Sequence, residues 1–292
     1  MKIKKSEKPI LKTLLYSDVF DYPLTESEVW KYLISRQKIK ISEFNKTIKK
    51  INSVVFRKEM FLYMEDRESI FEKRMKRDRE SERKLRLARP VIKKLSVFPG
   101  VMFIGISGSL SMKNSDKEDD IDLFVIARAG TIWTTRLFLI LYLKILGLHR
   151  GRGDQKISDK FCLNMMMDDK NLSLSKNYRN IYTAHEVVQL LPVISRDNTY
   201  KNFLVANDWV LEFLPNAFQG LYETIKIRSV AKSWIYFLKL FEKTAKSIQV
   251  YLINKNKTNE KIQEGFLAFH PGRTDKKIMS KYIKNLVKYN LS

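Results

Sequence analysis

A turn of small residues follows an apolar run near the middle of this 292-residue chain. The run, Val101–Ile106, has the length and composition of a buried strand, and Ser107, Gly108 and Ser109 come directly after it. Backbone N–H groups and hydroxyls in a turn of this kind bind phosphate oxygens. The spacing therefore predicts a phosphate-binding loop at the end of a strand.

Two aspartates, Asp120 and Asp122, stand at the head of the next apolar run, residues 121–127. Side chains of a strand alternate between its faces, so both carboxylates lie on one face, about 7 Å apart. Carboxylate oxygens are ligands that Mg²⁺ prefers, and substrate phosphates complete its coordination. An ordinary turn followed by an acidic hairpin loop would have a similar amino-acid sequence. The ordered coincidence of strand, small-residue loop, acidic pair and second strand favours a site for one or two Mg²⁺ ions.

This segment resembles the signature of the DNA polymerase β-like nucleotidyltransferase superfamily, in which Gly-Ser, a spacer of about ten residues and Asp-x-Asp lead into an apolar strand. The resemblance covers about 70 residues, from Val101 to Met167. It implies a mixed sheet flanked by helices, Mg²⁺ or alternatively Mn²⁺ as cofactor, and a nucleoside triphosphate such as ATP as donor. The implied reaction transfers the nucleotidyl group to an acceptor hydroxyl and releases pyrophosphate.

The resemblance also implies roles by position. Asp120 and Asp122 would be catalytic and hold the metal ions. The donor nucleotide would be bound by the turn: Ser107, Gly108 and Ser109. The acceptor is not indicated, because small molecules, RNA and protein hydroxyls all suit this chemistry.

The superfamily usually has a third carboxylate on a later strand, and here the chain departs from that pattern. The next strand is predicted over residues 160–167, and the polar residue at its centre is Asn164. An amide can orient a hydroxyl or ligate a metal, but it cannot act as a base. We therefore expect Asn164 to be a nucleotide-binding residue and not the base. Glu186 or His185, in a helix predicted over 178–191, could supply the base if that helix runs beside the sheet. Both could equally be surface residues, so a catalytically degenerate nucleotide-binding or sensing protein is the alternative.

A glycine-rich basic loop, residues 147–156, lies between the predicted core helix and the third strand. Arg150 and Arg152 are placed to reach a triphosphate or an acceptor once the loop closes. A basic helix C-terminus followed by a glycine turn would have the same sequence pattern, because the helix dipole favours cations at the C-terminus of a helix. Both interpretations stay open at this point.

The first 66 residues are predicted to form three helices and a β-hairpin. Thr25 and Glu28 form a capping box at the start of the second helix, predicted over residues 26–35. This arrangement resembles a winged-helix domain, which implies either protein contact or DNA binding. In a DNA-binding member the third helix would enter the major groove with its lysines: Lys46, Lys49 and Lys50. A DNA-binding regulator with a nucleotide-binding effector domain is therefore a second alternative.

The whole chain is predicted to be α+β: a winged-helix-like domain, a nucleotidyltransferase sheet with flanking helices, and a helical C-terminal region. The predicted boundaries are 1–66, a connecting helix over 67–98, the core over 99–175 and the helical region over 176–292. The connecting helix is basic, and its charges are expected to form a solvated face with intrahelical pairs such as Glu80 with Lys84. The C-terminal helices are expected to shape the acceptor pocket.

Composition limits the partners and the compartment. The net charge of +23 favours a polyanion such as nucleic acid, an anionic membrane or a nucleotide, although a general compositional bias would also produce it. The single cysteine, Cys162, excludes a disulfide framework, suits a reducing cytoplasm and is expected to pack in the core. The most apolar segment, 132–148, is interrupted by Arg136 and Lys144, so we expect no membrane span. The N-terminus is rich in lysine and has no apolar signal region, so we expect no secretion signal.

Overall fold

The computed structural model describes residues 3–51, 54–151, 153–218, 225–226, 232–255, 260–269 and 274–291. The fold is mixed, with helices packed around two sheets. The α-helices are α1 (Lys8–Asp18), α2 (Glu26–Lys31), α3 (Ile41–Ile48), α4 (Ile70–Leu95), α5 (Gly108–Ser111), α6 (Ile132–Ile145), α7 (Ile181–Gln189), α8 (Thr199–Ala206), α9 (Lys232–Lys255) and α10 (Thr274–Lys288). No helix in these ranges is long and apolar enough to cross a membrane.

The strands form one small and one large sheet. They are β1 (Leu24–Thr25), β2 (Val55–Lys58), β3 (Phe61–Met64), β4 (Val101–Ile106), β5 (Ile121–Ala127), β6 (Phe161–Asp168), β7 (Leu191–Ser195), β8 (Ile225–Lys226), β9 (Lys261–Gln263) and β10 (Phe266–Ala268). The small sheet has the order β1-β3-β2, and the large one β8-β7-β4-β5-β6-β10-β9. Strands β5 and β6 are parallel and α6 lies between them in the chain, whereas β4 pairs antiparallel with both β5 and β7.

The central strands β4 and β5 have the predicted bounds, and β6 is displaced by one residue from its prediction. All six residues of β4 are buried, as are all residues of β5 except Asp122. Both faces of the sheet are covered by helices, which is why these strands are nearly continuous apolar runs. Strands that are buried on both faces contain few polar residues, and they can therefore be recognised directly from the sequence.

The prediction of a purely helical C-terminal region is wrong in part. Strands β7 to β10 all belong to residues 176–292, and β7 lies in the interior of the large sheet. The helix predicted to end at 191 stops at Gln189, and Pro192 is a residue of β7 rather than a helix terminator. A five-residue strand that contains proline is too short to show a clear alternation of apolar and polar residues, so the sequence does not indicate it. Its register shifts where Pro192 pairs with Gly105, which accommodates the missing N–H group.

Helix α2 also ends earlier than predicted. Its capping box is present, with the Thr25 hydroxyl accepting from the Glu28 N–H and the Glu28 carboxylate accepting from the Thr25 N–H. Beyond Lys31, however, the Ile34 N–H donates to the Thr13 hydroxyl at 2.9 Å. This tertiary hydrogen bond to α1 replaces a bond that a longer helix would make.

The N-terminal helices and the small sheet share a hydrophobic core with one face of the large sheet. The cluster runs without interruption from residues such as Leu14 and Leu62 to Phe103 and Phe124 of the large sheet. A second cluster, on the opposite face, unites α4, α6 and α9 with the same strands. The N-terminal unit is therefore packed onto the sheet, and the lysines of and after α3 are exposed away from it: Lys46, Lys49 and Lys50.

Helix α4 supports the loop that precedes β5. Lys84 has no exposed side-chain surface, and its ammonium donates to the carbonyl oxygens of Lys117 and Asp119 at 3.0 and 2.7 Å and to the Asp159 carboxylate at 2.9 Å. The predicted pair of Glu80 with Lys84 is wrong, because Glu80 pairs with Arg83 instead. Part of the basic stretch is thus a buried clamp on the chain that leads into the two aspartates.

We expect Lys84→Met to lower the free energy of unfolding by about 3 kcal/mol, because it leaves two carbonyl acceptors and a carboxylate without their buried cation. Urea unfolding followed by circular dichroism measures the change. Lys93→Met is the control: Lys93 is exposed on the same helix, so its replacement should change stability by no more than about 0.5 kcal/mol. Equal stabilities of the two variants would contradict the clamp.

Candidate active site

The small-residue turn and the aspartates meet at one edge of the large sheet. Because β4 and β5 are antiparallel, Ile106 at the end of β4 pairs with Leu123 at the start of β5. The Ser107 N–H donates to the backbone oxygen of Asp122 at 2.9 Å, which fixes the turn against the strand. The antiparallel register thus brings together two motifs that are separated by about ten residues in the chain.

Gly108 is required at the closest point of this approach. Its φ of +67° lies in the left-handed region, which side chains other than glycine rarely adopt. A Cβ atom at this position would lie 2.8 Å from Oδ2 of Asp122. The backbone and the carboxylate therefore share a space that only glycine leaves open.

Asp120 and Asp122 form a cluster with Cys162, in which one ligand atom from each residue lies within 4.8 Å of the others. Cys162 is opposite Asp122 in the parallel register of β5 and β6. Burial, and then the charge of Asp120, raise the pKa of Asp122 well above its usual range. Arg150 donates to Oδ2 of Asp120 at 2.5 Å and partly offsets this negative charge.

The donor set fits a hard divalent cation. The two carboxylates are half-buried and close together, and Arg150 is the only lysine or arginine among the described residues that line their cavity. Burying paired negative charge is costly unless a cation compensates it. Burial raises the pKa of the Cys162 thiol, which keeps it protonated and a poor metal ligand. Oxygen ligands without a thiolate favour Mg²⁺ or Mn²⁺ over zinc.

Ser109 and Asp119 stabilise the loop that connects the two motifs. The Ser109 hydroxyl donates to Oδ2 of Asp119 at 3.1 Å, and the same oxygen accepts from the Asp116 N–H at 2.9 Å. Ser109 is exposed at the mouth of the cavity. Its backbone N–H belongs to the first turn of α5, where N–H groups lack intrahelical acceptors.

Glu186 and its neighbour His185 both line the cavity of the two aspartates, and His185 is almost fully buried there. Burial raises the pKa of Glu186 to about 7, and the charge of Glu186 in turn contributes to the raised pKa of Asp122. Burial lowers the pKa of His185 to about 4, so its ring is neutral, and it stacks on Tyr16 with the ring centres 4.1 Å apart. The structure therefore brings Glu186, rather than a charged histidine, to the acidic pair.

Asn164 marks an irregularity in β6. The register between β5 and β6 shifts at this residue, and its backbone oxygen accepts from the Phe269 N–H at 3.0 Å. Asn164 lines the main cavity and a smaller neighbouring cavity of about 110 Å³, which is lined largely by apolar side chains. Glu186 and Tyr182 also border both cavities, so the two spaces adjoin at these residues.

The main cavity has a volume of about 480 Å³ and lies between the sheet edge and the N-terminal unit. One wall carries the ionisable groups described above. The opposite wall comes from α1, β1 and the segments around them, and its side chains are uncharged and mainly aromatic: Thr13, Tyr16, Ser17, Phe20, Tyr22, Leu24 and Tyr32. The volume is within the range of small-molecule sites.

Most predicted site residues meet around this cavity. The structure brings together Gly108, Ser109, Asp120, Asp122, Arg150, Asn164 and Glu186, while Ser107 is buried beneath the turn and lines the smaller cavity. Arg152 lies outside the described residues. The sequence analysis missed the aromatic wall and the position of Cys162 beside the aspartates. No local pattern identifies them, because docking and strand register place them there.

No protein-family model, curated protein or solved structure matches this chain. The geometry of the site is therefore the basis on which a function can be assigned.

We expect Gly108→Ala to weaken binding of Mn²⁺, measured by isothermal titration calorimetry, because the new methyl group would displace the Asp122 carboxylate. Gly147→Ala is the matched control: Gly147 has a similar φ of +69°, but nothing lies within 4 Å of an added Cβ. Both variants should lose about 1 kcal/mol of stability from the left-handed backbone. Equal Mn²⁺ affinities in the two variants would contradict the role of Gly108.

Proposed function

We propose that the protein is a metal-dependent nucleotidyltransferase that transfers a nucleoside monophosphate from a nucleoside triphosphate to an acceptor hydroxyl and releases pyrophosphate. The observation that carries this proposal is the contact between the Gly108 turn and the Asp122 carboxylate, with Asp120 beside it. Phosphate-binding N–H groups and metal-binding carboxylates are the two halves of such a donor site. On this proposal the large sheet is a nucleotidyltransferase core of the DNA polymerase β-like type.

The donor triphosphate would lie along the turn. N–H groups at Gly108 and Ser109 would bind its β and γ phosphates, and Asp120 and Asp122 would hold Mg²⁺ or Mn²⁺. The bound ion would neutralise charge on the reacting phosphate and on the leaving pyrophosphate. Since Arg150 pairs with Asp120 at 2.5 Å, metal binding to Asp120 would release its guanidinium for a phosphate.

Glu186 is the residue that we assign as general base. In the proposed step the acceptor oxygen forms a bond to the α-phosphorus, the bond to the β-phosphate oxygen breaks, and the acceptor proton passes to the Glu186 carboxylate. A pKa of about 7 suits this role, because a base works best near the operating pH. Glu186 would thereby replace the third carboxylate that is expected on β6, where the chain has Cys162 and Asn164.

The N-terminal unit would form the acceptor side of the site. Its three helices and small antiparallel sheet suit a winged-helix-like domain, and its aromatic wall faces the carboxylates across the cavity. Three hydroxyls of that wall already have acceptors, since Thr13 donates to the Pro9 oxygen, Ser17 to the Tyr22 oxygen and Tyr22 to the Met112 oxygen. The wall thus offers mainly ring faces to an acceptor. We propose enclosure of the acceptor as the function of this unit.

One observation favours a second candidate, a nucleotide-binding protein without transfer activity. The position opposite Asp122 on β6 is Cys162, and the polar residue two positions along is Asn164, so this strand supplies no carboxylate beside the aspartates. Such a protein would bind nucleotide and metal in the same place and release no pyrophosphate. The experiments below separate the two.

Asp122→Asn should reduce pyrophosphate release roughly a thousandfold or more, because it removes a metal ligand. The assay supplies each of the four common nucleoside triphosphates with Mg²⁺ and an extract of metabolites and RNA as the acceptor pool. Asp208→Asn changes an exposed aspartate outside the cavity and should keep the wild-type rate. Metal-dependent nucleotide binding by the wild type without any release would favour the second candidate, and full activity of Asp122→Asn would overturn the metal assignment.

Glu186→Gln should lower the rate of transfer by about two to four orders of magnitude and leave nucleotide binding intact. The base acts when ionised, so the wild-type rate should rise as the pH increases through about 7, the pKa of Glu186. The variant should lack that rise. Glu43→Gln, at an exposed position on α3, is the control and should retain it. An unchanged pH profile in Glu186→Gln would assign the proton to another group.

A further inference from the structure

Helix α9 has two unlike sides. Its buried residues recur at intervals of four and seven and pack against α6 and the large sheet: Leu238, Ala245, Gln249 and Ile253. The Gln249 amide donates to the Trp133 oxygen at 2.8 Å, so this side is fixed to α6 by hydrogen bonds as well as by packing. The orientation of α9 on the protein surface is therefore defined.

The remaining surface of α9 exposes large apolar residues to solvent. We call this surface the α9 apolar face; it consists of Trp234, Phe237, Leu240, Phe241, Ile248, Tyr251 and Leu252, which are between 47% and 77% exposed. On α6 and just after it, Phe138, Leu141, Ile145 and Leu146 are exposed as well. Together with Tyr236, these are twelve of the 21 large hydrophobic residues that are exposed in the described part of the chain. Such concentration marks an interaction surface.

Among the described side chains of α9, the exposed charges have a single sign. Lys239, Lys243 and Lys246 are exposed along α9. Glu242, the only acidic residue of the helix, points inward and accepts from the Trp133 N–H at 2.9 Å and from the Thr134 hydroxyl at 2.8 Å. Because its one carboxylate caps α6, the exposed side of α9 presents lysines and apolar rings with no acid between them.

We propose that the α9 apolar face docks on an anionic lipid bilayer, with α9 lying in the plane of the interface. Helices that bind there combine lysines on the polar side with tryptophan, phenylalanine and leucine on the apolar side. Tryptophan and tyrosine suit that depth because their rings are apolar and their tips are polar. Charge favours this partner over a second copy, since each copy carries a net charge of +23 and an anionic surface is complementary to it.

The tryptophans provide a direct reporter of this contact. The chain has four, of which Trp133 and Trp209 are 4% exposed, and Trp30 is partly buried and donates to the Ile39 oxygen. Trp234 is 57% exposed and lies on the α9 apolar face. Insertion of this face into lipid should therefore shift the fluorescence emission to shorter wavelengths.

The test mixes the full chain with vesicles of phosphatidylcholine, alone or combined with phosphatidylglycerol, and measures co-sedimentation and emission. We expect binding and a blue shift with the anionic vesicles, weakened by salt. Leu240→Ser/Phe241→Ser should bind about tenfold less tightly or weaker still, because two side chains lose their apolar burial. Lys239→Gln/Lys243→Gln/Lys246→Gln should also bind the anionic vesicles less tightly.

Met60→Ser is the matched control, because Met60 is 63% exposed between β2 and β3, away from α9, and its replacement should leave binding unchanged. All replaced positions are exposed, and circular dichroism checks that the variants are folded. Failure of the wild type to bind anionic vesicles would overturn the proposal, as would equal binding by Leu240→Ser/Phe241→Ser. A wild-type dimer that this variant converts to monomer, without lipid binding, would assign the face to a second copy instead.

Discussion

The paired negative charge at the head of β5 is the constraint around which the rest of the structure is arranged. Asp120 and Asp122 lie side by side, and the burial of Asp122 raises its pKa well above the usual range. A protein that holds two carboxylates in this way needs a compensating cation and a rigid support. The glycine turn, the buried lysine of α4 and the pairing of Arg150 with Asp120 each meet part of that need.

The support comes from a helix whose charges suggest solvent exposure. Along α4, Arg77 pairs with Asp116 at 2.8 Å, and Lys84 bonds the carbonyl of Asp119. These contacts fasten both ends of the loop that leads into Asp120. A loop held only by its own turns would let the aspartates move relative to Gly108, and a site of this kind tolerates little movement. Some of the basic residues of the chain thus stabilise the structure next to the two aspartates.

The N-terminal unit and α9 show two consequences of packing helices on both faces of one sheet. On one face, α1 covers the cavity and supplies an uncharged aromatic wall, with Tyr16 stacked on His185 next to Glu186. On the other face of the sheet, α9 packs against α6 through a narrow stripe of buried residues, and the rest of its apolar surface is exposed to solvent. On our proposals, the first arrangement encloses a substrate and the second offers a surface to lipid.

The sequence by itself determined the parts that depend on neighbouring residues. Strands β4 and β5, the α2 capping box, the turn at Gly108 and the common face of Asp120 and Asp122 all follow from local periodicity and backbone preference, which a few adjacent residues encode. Tertiary structure alone decided the rest. Parallel pairing placed Cys162 opposite Asp122, the interior position of β7 came from pairing with β4, and docking of α1 placed the aromatic wall. Those contacts join residues far apart in the chain, and their free energy comes from shared burial that no short segment reveals.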